Sequence, residues 1–383
     1  MAALIPSHDW GGSALWTRTA LVGLESFSVG GDFRHYQGAF DEVDFNTSCP
    51  GANCGRFVRK IWSGGDQNLS GAFVQAIAVP LAKLRVELGL RADRWDNNNG
   101  LAVDSATTKN TTTYPDSSKT AFSPRLGARY QLTPSLSVHS AYYRAFRAPN
   151  LAELYRKQIN ANASQITLPN PYLKAEYAEG REAGLDWQPL DWLQVKGTWY
   201  IADYRDFNVP VTFAANAKPA ACGTAATCRQ RQNINKSRSV GGEAYLALRP
   251  ISQLFISGSV NYDDARQQSG LTDTTTKKPH INRVPSPKQV VRATYTSRLL
   301  GSWTALWMHE GHTTTLQGAW LDPFTVVNLQ AQRDLLPGVR ALVWIDNVGD
   351  TKYQVNVSGT APNLVYSFGR PRTVRVGLEM SRF

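Results

Sequence analysis

The stretch Leu84-Arg85-Val86-Glu87-Leu88-Gly89-Leu90-Arg91-Ala92-Asp93 decides the fold. Its even positions are all apolar, and its odd positions are charged except for Gly89. Side chains of an extended backbone point alternately to opposite faces, so a period of two means a strand with one apolar and one polar side. The same alternation returns at Leu193, Val195, Gly197, Trp199 and Ile201. It is weaker at Val339, Ala341, Val343 and Ile345, and shows again in the shared parity of Leu254, Ile256 and Val260. No amphipathic helix is predicted.

The connections alternate as well. Tight turns fall near 80–83, 133–135, 188–191, 250–253, 298–301 and 336–338, most of them with Pro or Gly. Longer polar loops fall near 38–66, 97–119, 148–175, 207–232, 266–282, 314–322 and 354–368. Between them lie about fifteen strands, predicted near 8–18, 25–37, 67–79, 83–96, 121–132, 136–147, 176–187, 192–205, 233–248, 254–265, 283–297, 302–312, 324–334, 339–353 and 370–383. Many match the ~9–11 residues that a tilted strand needs to cross a bilayer. Tight turns at one end and long loops at the other are the asymmetry of outer-membrane barrels.

The reason is the solvent. In lipid every backbone N–H and C=O must find a partner within the protein, so only helices and closed barrels span. The 383 residues contain no run of eighteen or more uncharged apolar residues, which excludes a helical membrane protein. Trp187, Trp192 and Trp303 near tight turns fit an interfacial girdle. A soluble propeller or sandwich would carry loops of similar length at both ends. No secretory signal is read at Met1-Ala2-Ala3-Leu4-Ile5-Pro6. The four cysteines fall in two local pairs, Cys49–Cys54 and Cys222–Cys228, in loop-like sequence. They read as two small disulfides made in an oxidising compartment, with free thiols or a zinc site as alternatives.

Several motifs carry a resemblance. Ala145-Phe146-Arg147-Ala148-Pro149-Asn150-Leu151-Ala152-Glu153-Leu154-Tyr155 resembles the FRAPxLxELY signature of TonB-dependent outer-membrane receptors. Leu132-Thr133-Pro134-Ser135-Leu136 resembles the family's periplasmic turn. Asn170-Pro171-Tyr172-Leu173-Lys174-Ala175-Glu176 with Glu182-Ala183-Gly184-Leu185 is similar to its NPxLKPE…ExGL block. Ser239-Val240-Gly241-Gly242-Glu243, Arg283-Val284-Pro285, and Val343-Trp344-Ile345-Asp346-Asn347-Val348-Gly349-Asp350-Thr351-Lys352-Tyr353 follow in the family's order. The closing strand, Arg370-Pro371-Arg372-Thr373-Val374-Arg375-Val376-Gly377-Leu378, leads to a terminal Phe383, whose parity calls for a bulge near Glu379–Arg382.

The resemblance implies an all-β fold, an antiparallel transmembrane β-barrel with multiple passes through a Gram-negative outer membrane. It implies TonB-coupled uptake of a scarce nutrient such as a ferric siderophore or cobalamin. The family's barrel has about 22 strands around a plug. Residues 1–383 are therefore expected to be a partial barrel of C-terminal strands, with plug domain, TonB box and signal peptide missing, unable to close or transport alone. Expected partners are outer-membrane lipid and lipopolysaccharide, the TonB complex through the missing plug, and an anionic or chelated small molecule. The alternatives are a passive porin-like channel and a soluble β-rich binding module.

Arg147, Tyr155 and Arg156 are the candidate ligand contacts, because guanidinium groups bind anionic oxygens and aromatic rings stack on flat chelates. The structural alternative pairs Arg147 with Glu153 or Glu176. The balance of 41 Lys+Arg against 30 Asp+Glu gives a charge of +11, suited to an anionic ligand or to lipid A phosphates. Arg229-Gln230-Arg231 and Lys277-Lys278 are short clusters, and no nucleic-acid module surrounds them. No catalytic, cofactor or metal site is predicted. His309-Glu310-Gly311-His312 is spaced i, i+3, which on a strand puts its histidines on opposite faces.

Overall fold

The structure is a computed structural model that describes residues 2–45, 57–105, 110–159, 164–269, 284–315, 320–360 and 363–381. Among these residues fifteen long strands follow one another in a meander. They are β1 (Ser7–Leu21), β2 (Leu24–Phe45), β3 (Phe57–Leu81), β4 (Leu84–Asp104), β5 (Ser117–Thr133), β6 (Leu136–Arg147), β7 (Glu176–Leu190) and β8 (Leu193–Thr212). Then come β9 (Thr227–Ile251), β10 (Leu254–Ser269), β11 (Ser286–Ser297), β12 (Gly301–Thr314), β13 (Phe324–Leu336), β14 (Val339–Asp346) and β15 (Thr373–Met380). Each pairs antiparallel with the next. All fifteen predicted strands have a counterpart.

Strand ends depart from the predictions. β2 runs to Phe45 instead of 37 and β9 begins at Thr227 instead of 233, because pairing continues above the apolar band. β14 stops at Asp346 instead of 353. There Asn347 (φ 52°) turns the chain. Its Nδ2 donates to Thr351 O and Arg370 O, both at 2.9 Å. The segment expected to be loop at 354–368 holds a hairpin, Gln354–Thr360 with Asn363–Phe368. Among the described residues one short α-helix, α1 (Leu151–Tyr155), stands where none was predicted. The register of β15 is regular through Met380, and Phe383 lies outside the described residues, as does the Cys49–Cys54 pair.

Registers assign each residue to a face. Phe27, Ala76, Leu88 and Leu126 are successive cross-strand partners. So are Val138, Leu185, Gly197, Ala244 and Val260. The row Ile256, Ala293, Ala305, Leu329, Ile345 and Val374 continues to the last strand. These rows make one outer apolar belt, and its side chains stay open, with Leu88 50 % and Trp199 52 % exposed. The inner face carries ion pairs instead. Arg91 bridges Asp32 and Asp93, Arg125 meets Glu87, and Lys288 meets Glu310.

The accessible surface is 23210 Å², against roughly 15,000 Å² for a soluble globule of this size. Among the described residues no dry core lies between two layers of sheet, and the apolar side is left for a non-aqueous solvent. The sheet is open: among the described residues, no register joins β15 to β1.

Candidate functional site

The long-loop end of the inner face is where the chain builds a packed structure. β6 ends at Arg147, and Pro149, lacking an N–H, cannot continue a ladder. Asn150 then caps α1: its Oδ1 accepts from Glu153 N at 2.9 Å, while Glu153 Oε2 accepts from Asn150 N at 3.1 Å. Leu151, Leu154 and Tyr155, spaced i, i+3, i+4, form one buried face and pack against Phe40, Trp95 and Leu173. The signal for this helix was present in the FRAP stretch as Asn150 followed three residues later by Glu153.

Tyr155 is buried, at 1 % exposure. The Asn97 amide donates to its hydroxyl, and Gln67 Nε2 donates to Asn97 Oδ1 at 3.2 Å and to Pro149 O at 2.9 Å. Tyr114 stacks on its ring at 5.0 Å. Burial pushes both phenols above the ordinary tyrosine range. Gly100 leaves room for the ring, since a Cβ there would lie 2.5 Å from it.

Arg147 lies between two carboxylates. Its Nε and Nη2 reach Glu176 at 2.9 and 2.6 Å, and Nη1 and Nη2 reach Glu153 at 3.2 Å each. Glu176 Oε1 also accepts from Asn208 N at 2.9 Å, and Arg231 stands 3.6 Å from Glu153. These carboxylates raise the Arg147 pKa above its ordinary value. Arg156 donates to Glu42, 3 % exposed, at 3.2 and 2.6 Å and lies 5.0 Å over the Phe40 ring. Burial, assisted by the neighbouring Arg59, pushes the Lys157 pKa down, and Asp104 lies 3.8 Å away.

A second knot adjoins the first. Cys222 and Cys228 are bonded, with Cα atoms 5.9 Å apart, and pack with Ile166, Leu168 and Ala225. Gln165–Leu168 runs parallel to Thr227–Gln230. Lys218 Nζ donates to Ala225 O and Ala226 O at 2.8 Å each. Asn233 of β9 ties down the chain just before β7, accepting from Lys174 N at 2.9 Å and donating to Lys174 O at 3.0 Å.

The structure thus brings Arg147, Tyr155 and Arg156 together in one cap and gives each a partner from the chain itself. Chemically, they fix the shape of the cap. Tyr172, quoted only as part of the Asn170-Pro171-Tyr172-Leu173 motif, is 75 % exposed on the same cap. His309 and His312 lie on opposite faces of β12: His309 Nδ1 bonds Thr325 Oγ1 at 2.9 Å, and His312 packs edge-on to Trp320.

Comparisons with known proteins converge. A family profile described as "TonB dependent receptor-like, beta-barrel" matches residues 5–348. The Iron-regulated outer membrane virulence protein of Vibrio cholerae is 30 % identical over 152 residues, which are 39 % of this chain and 23 % of that protein. The copper transporter OprC superposes with a TM-score of 0.75 at 17 % identity, over 99 % of this chain and 57 % of its own. The ferric yersiniabactin uptake receptor FyuA from Yersinia pestis gives 0.73 at 11 % identity, over 100 % and 55 %. The chain therefore spans little more than half the length of these solved structures.

Proposed function

The chain belongs to the TonB-dependent receptors, over the part that builds their β-barrel, and we propose that it is the wall and outer cap of an energised importer. Its place is the outer membrane. The single observation that carries the reading is the outer apolar belt, running from β2 to β15, backed by an inner face of ion pairs. A soluble binding module would have to cover that belt with protein.

The cargo we propose is a chelated metal or another scarce nutrient too large and too anionic for passive entry. The relatives' names speak of ferric chelates, copper and iron regulation. The charge of +11 supports an anionic cargo. Arg147, Tyr155 and Arg156 serve it by holding the cap in shape, and the exposed Tyr172 ring offers a stacking surface. Coupling to TonB falls to a plug within the barrel, and the role of this chain is transport rather than catalysis.

Both edges of the sheet need partners in lipid, because unpaired backbone groups there are costly. β1 enters a tight turn at Val22-Gly23, and β15 leaves the long-loop end, so the two edge strands run in the same direction. Pairing them directly would create a parallel seam. An antiparallel closure requires an odd number of further strands, and the seven expected from the family's size satisfy that parity.

Uptake of a labelled ferric siderophore panel by cells carrying the intact gene, with and without TonB, tests the proposal. Uptake that disappears without TonB supports it. Uptake that persists identifies a passive channel.

A further inference from the structure

Registers place a concentrated basic patch on the outer face of β6–β10. Arg144, Glu179, Asp203, Arg238 and Arg266 are successive cross-strand partners. Arg205 and Lys236 form the next pair toward the long loops, and Arg181 lies one pair below. Six cations thus share three acids, Glu179, Asp203 and Asp264. Arg238 is 2.7 Å from Asp203, Arg266 is 2.7 Å from Asp264, and Arg181 is 2.8 Å from Glu179. Arg144 lies 4.6 Å over the Tyr177 ring. Among the described residues Arg144, Arg205 and Lys236 close no ion pair within 4.0 Å, the nearby Glu179 and Asp203 being held by Arg181 and Arg238. The neighbouring sectors carry no such excess, since on β4 the outward Arg94 is matched by Asp96 at 2.7 Å. At comparable positions β2 and β3 present His35 and Asn68, and β11 to β13 present Gln289, His309 and Thr325.

The height of the patch fits a headgroup layer. Glu179 is eight residues above Trp187 on β7, about 27 Å along the strand and about 21 Å along the membrane normal at a ~40° tilt. An apolar band is about 25 Å tall. Directly beneath the patch, Gly197, Gly242 and Ala244 leave a shallow trough on the outer face, flanked by the exposed rings of Trp199 and Tyr262. A Cβ added at Gly197 would meet nothing within 4 Å.

We propose that this patch is a docking site for a diphosphorylated acyl glycolipid of the outer leaflet. Arg144, Arg205 and Lys236 take the phosphates, and the trough seats an acyl chain. The inference rests on the outer face being the lipid face. Phosphate oxygens balance the excess of six cations over three acids, and guanidinium groups offer the paired donors that such oxygens accept. The three acids hold the other arginines in place, so the site keeps its shape without lipid.

The test uses protein purified from outer membranes, in detergent micelles with diphosphoryl lipid A as the probe. The triple variant Arg144→Gln, Arg205→Gln, Lys236→Gln is compared with Arg18→Gln, a cation at the turn end of the outer face. Each cation removed near an anionic surface weakens binding about fivefold, so the triple variant should bind about a hundredfold more weakly. Arg18→Gln should bind like the parent. Equal binding by parent and triple variant overturns the site, as does inorganic diphosphate binding as tightly as the lipid. Quenching of Trp199 by brominated acyl chains in phosphatidylcholine vesicles separates the two levels. If Trp199 is quenched and the triple variant still binds, the patch alone fails. If Trp199 is not quenched, the lipid-facing wall fails and takes the patch with it.

Discussion

Arg147, the last residue of β6, sits directly across the sheet from Glu176, the first of β7, and its guanidinium holds both oxygens of that carboxylate at 2.6 and 2.9 Å. The same guanidinium holds Glu153 of α1. One side chain therefore joins the end of the membrane wall to the start of the cap. Arg147→Ala leaves two shielded carboxylates facing each other and should cost the cap about 2 kcal/mol. Amide exchange at 151–155 should speed up while the strand amides of β6 stay protected. Arg147→Lys should recover only part of the loss, since an ammonium cannot fork to both acids. Unchanged exchange in Arg147→Ala would show that the pair does not anchor the cap.

Gly100→Ala places a methyl group 2.5 Å from the Tyr155 ring. The ring is fully buried, so the helix must shift, at a cost of about 1–3 kcal/mol. Pairing Gly100→Ala with Tyr155→Leu should restore part of that stability, because the smaller side chain vacates the space. A double variant no better than the sum of its parts would rule out this contact as the cause.

Alkali should loosen the cap. Burial raises the folded pKa values of Tyr155 and Tyr114 above that of a free phenol. Their contribution is therefore complete below about pH 10 and is lost as pH climbs through the raised values. Lys157, shifted downward, acts in the opposite sense over the range below its own ordinary value. Tyrosinate absorbance should rise together with protease cleavage within 148–175. Ionisation of all tyrosines at the ordinary value, with no delayed fraction, would contradict the burial.

Reducing the Cys222–Cys228 bond opens a short loop, and chain entropy sets its worth at about 2 kcal/mol. Dithiothreitol should expose 213–226 to protease and leave the barrel strands resistant. Equal resistance with and without reductant would make the bond incidental to the knot.

The wall was legible in the sequence because lipid and water impose opposite demands on alternate residues. Leu84 to Asp93 shows both faces without any tertiary information. The ends of strands were not legible where that contrast fades. β2 continues past Gln37 as paired polar backbone, which alternation of hydropathy does not mark. α1 leaves little mark in the sequence because five residues make little more than one turn, and its apolar triplet is brief beside the strands. The partners of Arg147 could be named from sequence, since Glu153 and Glu176 flank it in two motifs. The partners of Arg156 and Tyr155 could not: Glu42 and Asn97 lie far away in sequence and meet them only through the curl of the sheet. The outward basic patch is written in the pairing of β6 to β10, which brings together residues far apart in sequence.

A charge on the lipid face should be far more costly than its loss from the inner face. Leu126→Arg, in the middle of the belt, should cost about 2–4 kcal/mol at bilayer depth, read as lost assembly in outer membranes. Arg125→Leu, one residue away and facing inward, should assemble normally. Equal assembly of the two variants would mean that the faces are not distinguished by lipid.

The central claim is that the even residues of β4 touch acyl chains and the odd residues touch water. Nitroxide labels placed singly from Leu84 to Asp93, in protein within outer-membrane vesicles, measure this by collision with oxygen and with a water-soluble nickel chelate. We expect oxygen access to peak at 86, 88, 90 and 92 and nickel access to peak at 85, 87, 91 and 93, in strict alternation. Oxygen and nickel profiles that rise and fall together, or even positions shielded from both, would contradict the account.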